Sequence, residues 1–340
     1  MTQNQHYVPK LLLRGFLSRD AKRAAKEQVH VLDLIEKRYF TPSIENIMAE
    51  NKYNEFKINE ENIAEIETAL SKIEGYIAPL IKRIREEKIL EQSAQIHQDL
   101  AYFVALQFIR TKKTRLFPKR IYEKLRNSIV KMGFDPSKVD GLHDFDSDEL
   151  KKFHSSHQVK MIDKYAEMIS DKVFFLMAPP INGTFYVSDH PVVLHTDEPK
   201  NFYNQGLGLG TPYIQIHLPL SAEIMLCAYD AAILGQLKKQ YDLGLKELQQ
   251  LSLGRFMRRE ISKEQMKYVI DGFHESSPIN SFLNAIKLGN PISIDNEHLK
   301  CYNSLQVFQA ERFVIDPDGR FDVAKEIIAE GDFNLSKLGE

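Results

Sequence analysis

The pattern of apolar residues changes near Lys172, and this change constrains the fold more than any other feature. Before it, apolar residues such as Ile66, Leu70, Ile73 and Ile77 recur at steps of three and four, which is typical of an amphipathic helix. After it, short segments rich in Val, Ile, Phe and Tyr are separated by Gly and Pro, which is typical of strands and turns. We therefore expect an α+β protein, with a helix-rich N-terminal half packed with a mostly antiparallel sheet from the C-terminal half.

The length of 340 residues allows one large domain with a hydrophobic core. We expect a single α+β domain over 1–320, because the strands alone are few and need the helices to complete a core. Its helical part is predicted at about 59–170 and its strand-rich part at about 172–314. A polar C-terminal tail is predicted over 321–340.

Individual elements can be predicted within these parts. A helix is expected over 59–90, kinked or divided near Tyr76 by Pro79, since proline interrupts helical hydrogen bonding. The apolar run DLAYFVALQFI predicts a second helix, over about 93–112, that is buried on most of its circumference. Two more amphipathic helices are predicted over 118–132 and 147–170. The segment PINGT is predicted to be the turn of a hairpin.

Composition excludes several classes of protein. The formal charge of −2 argues against a chain that coats nucleic acid through its overall charge, although a local basic face stays open. Cys227 and Cys301 form neither a disulfide framework nor zinc-finger spacing. No apolar run approaches ~18 residues, and the N-terminus is polar. We expect a cytoplasmic protein that does not enter a membrane.

Five sequence blocks point to a known family. They are QHYVPKLLLRGF, FIRTKKTR, FYVSDHPVV, HLPLSAEIML and YNSLQVFQAERFVI, which follow one another in this order. Together they resemble the bacterial family DUF4238, marked by an HYVP signature, over about residues 5–314. The resemblance implies kinship and no particular activity. It indicates that His6 in the first block and Asp189 in the third are the residues to weigh first.

His6 and Asp189 are the candidate catalytic residues. A histidine that precedes a helix entry at Pro9 could act as a base, a metal ligand or a hydrogen-bond donor. Asp189 follows a strand and precedes His190 and a proline, which would direct its carboxylate to the sheet edge. The alternative is structural for both residues: a hydrogen-bonded imidazole and a turn in which Asp189 accepts backbone amides.

Five polar residues are candidates for substrate binding. Arginine clamps phosphate through two parallel hydrogen bonds, and a buried amide requires partners. The arginines could equally be cations placed favourably at the C-terminus of the 93–112 helix. Three spaced amides in the last block, including Asn303, could fix a substrate or a loop. The five candidates are Arg14, Gln107, Arg110, Arg115 and Asn303.

A divalent metal, Mg²⁺ or Mn²⁺, is a possible cofactor, with His6, Glu67 and Asp189 as its ligands. Glu67 lies seven residues before Glu74, so both carboxylates share one helix face, although a solvated acidic face is an alternative. His154 and His157 could also share a metal, but an exposed helix face is the favoured interpretation.

These residues support two hypotheses of different classes. The first is a metal-dependent hydrolase of phosphodiester bonds, similar to a nuclease, with nucleic acid or another phosphate-bearing ligand as its partner. The second is a non-catalytic binding or regulatory module in which the same polar motifs are structural. The first requires that His6, Asp189 and at least one arginine converge in one pocket.

Overall fold

The structure is a computed structural model that describes residues 4–57, 63–139, 142, 147–197 and 208–331. Helices dominate from residue 67 to residue 170 and return after the main sheet. The helices, in chain order, are α1 Lys10–Leu13, α2 Ala21–Ala24, α3 Glu67–Glu87, α4 Ala94–Ile109, α5 Lys112–Lys131, α6 Ser147–Ser170, α7 Ala231–Met257, α8 Lys263–Ser276, α9 Pro278–Leu288, α10 Asn296–Gln309 and α11 Asp322–Ala329.

Short strands open the chain, and longer strands follow α6. The strands, in chain order, are β1 Asn4–His6, β2 Val31–Asp33, β3 Arg38–Phe40, β4 Ala49–Asn51, β5 Glu55–Lys57, β6 Ile63–Glu65, β7 Lys172–Ala178, β8 Val187–Ser188, β9 Val193–His195, β10 Gln215–Ser221, β11 Ile224–Asp230, β12 Ile292–Ser293 and β13 Phe313–Ile315. The α+β class predicted from the change of pattern is confirmed.

Two larger sheets lie among the described residues. One has the strand order β12-β7-β11-β10-β9 and is antiparallel except where β12 joins β7. The other has the order β3-β2-β13-β8 and is antiparallel throughout. Strands β2 and β3 come from the N-terminal region, so that region supplies strands as well as helices.

The segment PINGT does not form a hairpin. It connects β7, which lies in the five-stranded sheet, to β8, which lies in the four-stranded sheet. The predicted turn is therefore a crossover between two sheets. The physical reason is that β7 pairs with β11 and β12, which lie far along the chain and leave no hint in the local sequence.

Helix boundaries agree with the predictions to different degrees. The predicted helix at 147–170 is α6 with the same bounds, and α4 lies within the predicted 93–112. However, β6 and the start of α3 fall inside the predicted 59–90 helix, and residues 58–62 lie outside the described ones. α5 begins at Lys112 instead of 118, and it continues through Pro118, because tertiary packing can outweigh the cost of proline.

One hydrophobic cluster joins both halves of the chain. It includes Leu12, Leu106, Ile169, Leu176 and Leu220, all fully or nearly fully buried. The elements that carry the five sequence blocks therefore pack against shared apolar neighbours. The region predicted to be a tail begins differently: Phe321 is buried and α11 packs against α10. Residues 332–340 lie outside the described ones, and no helix among those described is both long and apolar enough to cross a bilayer.

Candidate functional site

The N-terminal block and the block after α4 meet in the interior. β1 pairs with β4 in antiparallel register, and this pairing holds His6 opposite Ala49. The Arg110 guanidinium donates from Nη2 to the backbone oxygen of His6 at 2.7 Å. Its Nη1 forms an ion pair with Glu74 on α3 at 2.6 Å. Arg110 thus ties together three elements, and its side chain is only 2% exposed.

His6 has a structural partner of its own. Its Nε2 lies 2.8 Å from the backbone oxygen of Ile44, which requires a donated ring proton. Burial lowers the pKa of the imidazole, so the ring is neutral near pH 7. The Asp189 carboxylate has other partners, the backbone amides of residues 311–313.

Asp189 clamps the segment that follows α10. Its carboxylate oxygens accept the backbone amides of Glu311, Arg312 and Phe313 at 2.8, 2.9 and 3.1 Å. Its own amide donates to the backbone oxygen of Phe313, which continues the pairing of β8 with β13. Burial raises the pKa of this carboxyl to about 7, although the three amide bonds act in the opposite direction. These contacts match the structural alternative for Asp189, in which its carboxylate accepts backbone amides.

Three side-chain amides of α10 bind the backbone around β8 and in β9 in the manner of a neighbouring strand. Asn303 accepts from the amide of Tyr186 at 2.9 Å and donates to the oxygen of Thr184 at 2.9 Å. Gln306 accepts from the amide of Ser188 at 2.9 Å, and Gln309 brackets Leu194 with both ends of its amide. We call these three amides and the Asp189 carboxylate the clamp. Asn303 is committed to it and binds backbone.

Arg115 and His154 form a second buried group. The Arg115 guanidinium lies 3.2 Å above the Tyr53 ring centroid and donates to the Tyr53 backbone oxygen at 2.6 Å. His154 lies 2.9 Å from the oxygen of Ile109, and Arg115 Nε donates to its other ring nitrogen at 3.4 Å. The prediction that His154 lies on an exposed face is wrong, because Ile109, Arg115 and Tyr53 pack against it.

Gln107 contrasts with all of these residues. It is fully buried, and neither atom of its amide has a hydrogen-bond partner among the described residues. Arg110 Nε and Gln5 Nε2 are likewise buried and unpaired. Gln5 Oε1 accepts from the Asn54 amide at 2.6 Å, so only one end of that side chain is satisfied. Buried unpaired polar groups are costly and rare in folded proteins.

Arg14 lies apart from these contacts, whereas Glu67 joins them through Asn54. Arg14 is half-exposed and pairs with Glu27 at 2.7 Å. Glu67 accepts from the Asn54 side-chain amide at 2.6 Å. The three metal candidates His6, Glu67 and Asp189 thus take separate partners. Within the described ranges, no three His, Cys, Asp or Glu side chains are grouped so that they could hold a metal ion.

Several residues of the sequence blocks that were not chosen as candidate site residues lie next to those that were. Thr111 is the N-cap residue of α5, and its hydroxyl lies 2.7 Å from His190 Nδ1. Lys113 Nζ donates to the Gln309 oxygen at 2.9 Å, and burial lowers its pKa to about 8. Burial, together with Asp189 and Glu50, raises the pKa of Tyr7 well above its ordinary value. Apart from Glu50, all of these residues lie within the quoted sequence blocks, and that position was the available signal.

The surface of α5 has an unusual charge. The helix contains eight Lys and Arg residues and one acidic residue, Glu123, in a chain of net charge −2. Its residues from 123 to 128 are all exposed, so this part projects from the body of the protein. A count of charges over 112–131 would have found this feature from sequence, but the predicted helix began at 118 and omitted the first basic residues.

Comparisons with known proteins identify a family and no activity. The sequence profile of the family described as "Protein of unknown function (DUF4238)" matches residues 4–319. Neither the curated proteins nor the solved structures that we compared with the chain include a match.

Proposed function

Since the chain belongs to the DUF4238 family, whose description names no activity, we propose from its geometry that it binds nucleic acid along α5. The observation that carries this proposal is the charge of that helix: eight basic residues against one acidic residue. Lys and Arg side chains that neutralise phosphates supply most of the affinity of proteins for nucleic acid. An overall charge of −2 is compatible with such a local face.

Partners within the protein account for only part of this charge. Lys112 pairs with Glu50 at 2.6 Å, Arg120 pairs with Glu311 at 2.5 Å, and Arg115 packs on Tyr53. Lys119, Lys124 and Lys131 are exposed, and within the described ranges none of them forms an ion pair. These three ammonium groups are available to an external anion.

Helix electrostatics do not explain the charge either. Lys112 and Lys113 open α5, where the helix dipole disfavours cations. Cations at the C-terminus of the preceding helix, the sequence-based explanation, account for Arg110, the C-cap residue of α4, but not for Arg115, which lies within α5. The neighbouring helix α6 has four basic and four acidic residues, so a basic surface is a property of α5 and not of both helices. This contrast supports a phosphate-binding role.

The test is a binding titration with a labelled oligonucleotide over a range of salt concentrations. We compare the protein with the variant Lys119→Glu/Lys124→Glu/Lys131→Glu. We expect the variant to bind about 10- to 100-fold more weakly, with the slope of log affinity against log salt reduced by about 2, because three phosphate contacts are lost.

A matched control makes the same charge change on another helix. Lys238, Lys239 and Lys246 lie exposed on α7, and their triple substitution to Glu should leave the affinity within about twofold. Equal weakening by both triple variants would show that overall charge, and not α5, governs binding. Absence of binding by the unaltered protein at low salt would refute the proposal.

Hydrolysis of a bound phosphodiester stays a prediction that extends this proposal. The contacts of His6 with Ile44 and of Asp189 with three backbone amides favour structural roles for the two proposed catalytic residues. Its trial is incubation of labelled DNA and RNA with Mg²⁺, with Mn²⁺ and with a chelator. Metal-dependent cleavage that is abolished in His6→Gln would support the hydrolase. We also propose that the protein is cytoplasmic.

A further inference from the structure

We infer that the nucleic acid is single-stranded and that its bases stack on Phe117; this inference rests on the function proposed for α5. Phe117 is 60% exposed, although it is a large aromatic residue on a charged helix. Ile121 and Leu125 follow at steps of four and are 40% and 50% exposed. Because four residues advance a helix by slightly more than one turn, the three side chains form one continuous apolar strip.

Basic side chains border this strip on one side. Lys124 and Lys131 follow Phe117 at seven and fourteen residues, which is close to two and four helical turns. They therefore lie nearly in line with Phe117 along the helix axis. Arg120 lies three residues after Phe117 and on the same side. An apolar strip and a basic line run next to each other along α5.

This arrangement matches the two surfaces of a single strand. Single-stranded nucleic acid presents base faces on one side and phosphates on the other, and proteins bind it with aromatic platforms beside basic residues. In a duplex the base faces are stacked inside, so an exposed phenyl ring beside the backbone would gain little. The apolar strip that contains Phe117 and the basic line that contains Lys124 therefore suit a single strand better than a duplex.

A membrane surface fits the same helix less well. A helix that lies in a bilayer interface has its apolar and basic residues on opposite faces. On α5 the ammonium groups of Lys124 and Lys131 share a side with Phe117, so insertion of the apolar strip would draw two charges toward the hydrocarbon. We therefore assign the strip to bases and include vesicles in the test.

The experiment measures affinities for a 20-nucleotide single strand and for the duplex of the same sequence at one salt concentration. Phe117→Leu removes the ring and retains an apolar side chain, so the charges are unchanged. We expect it to weaken single-strand binding about tenfold and duplex binding less than twofold, because the stacking of one base on the ring is lost. Phe117→Tyr should restore single-strand affinity, and Phe256→Leu, which removes a part-exposed ring from α7, is the control.

The outcomes separate this inference from the function on which it rests. If Phe117→Leu leaves single-strand affinity unchanged, or weakens both ligands equally, the stacking inference fails while binding along α5 stands. If the unaltered protein binds neither oligonucleotide, both proposals fail. If it binds only vesicles that contain anionic lipid, α5 serves a lipid surface and the inference is overturned.

Discussion

The clamp and the exposed face of α5 differ in how their polar groups are satisfied. In the clamp, Asp189 and the amides of α10 bind backbone groups around β8, β9 and β13, and each clamp side chain has identified partners. On α5, Lys119, Lys124 and Lys131 face solvent and have no ion-pair partner in the described part of the chain. A polar residue with every partner inside the fold has a structural task, whereas unpartnered exposed charge is available to a ligand.

Gln107 belongs to neither group. It is buried like the clamp residues, yet its amide is unpaired in the described part of the chain. If the clamp is structural because its hydrogen bonds are made, Gln107 should contribute far less to stability than Asn303. Substitutions in the clamp and at Gln107 therefore test whether a buried polar residue stabilises the fold only when its hydrogen bonds are made.

The largest effect is expected for Asp189→Ala. Loss of the carboxylate leaves three backbone amides of residues 311–313 without their acceptor, and we expect the free energy of unfolding to fall by about 4 kcal/mol. Urea denaturation measures this change, with the exposed Asp271→Ala on α8 as control. A loss below about 1 kcal/mol would mean that the clamp is not structural.

Asn303→Leu should have the next largest effect. The leucine fills a similar space but leaves the Tyr186 amide and the Thr184 oxygen unpaired in the interior. We expect a loss of about 2–3 kcal/mol in the free energy of unfolding. A substitution with no effect would indicate that the α10 amides do not replace a neighbouring strand for β8.

Acid should destabilise the protein through its buried neutral histidines, and His154 provides a test. Burial lowers the pKa of His154 to about 3, below the ordinary 6.5, so the unfolded chain binds the extra proton. The stability that it contributes is complete above pH 6.5 and is lost as the pH falls from 6.5 toward about 3. At pH 5 the loss amounts to about 2 kcal/mol.

His154→Gln should remove the part of the pH dependence that His154 causes, because glutamine does not titrate and can still donate to the Ile109 oxygen. Denaturation at pH 7 and pH 5 measures the difference. The exposed His298→Gln is the control and should retain the acid sensitivity. Equal acid sensitivity of His154→Gln and the unaltered protein would contradict the assigned burial.

The smallest change in stability is expected for Gln107→Leu, which is matched to Asn303→Leu in chemistry and burial. No identified hydrogen bond is lost, and an unpaired amide is removed from the interior. We expect the free energy of unfolding to stay within about 1 kcal/mol of the unaltered value or to rise. A loss as large as that of Asn303→Leu would show that Gln107 has partners, such as internal water, that contribute equally.

Local sequence predicted local structure well and long-range contacts poorly. The bounds of α6 and the α+β class followed from the spacing of apolar residues. The crossover after β7 did not, because its partners β11 and β12 are distant in sequence. Three amides of the last block were predicted to fix a substrate or a loop. The structure shows that these residues, Asn303, Gln306 and Gln309, bind the backbone around β8 and in β9.

The candidate site was less predictable than the fold. Polar motifs identified residues that are buried and partnered, but a motif does not reveal whether its partner is a substrate or the chain's own backbone. His6 illustrates this limit, since its acceptor is the oxygen of Ile44, an apolar residue with no distinctive signal. The early start of α5 was missed: the predicted helix began at Pro118, whereas α5 begins at Lys112 and continues through that proline.

The most direct test compares single-strand affinity across a salt series for the unaltered protein, His6→Gln and the triple α5 variant Lys119→Glu/Lys124→Glu/Lys131→Glu. If the buried motifs build the fold and α5 binds the ligand, the affinity of His6→Gln stays within about twofold of that of the unaltered protein. The affinity of the α5 variant falls about 10- to 100-fold, and its slope of log affinity against log salt is reduced by about 2. The opposite result, binding lost in His6→Gln and retained in the α5 variant with both proteins folded, would contradict this account.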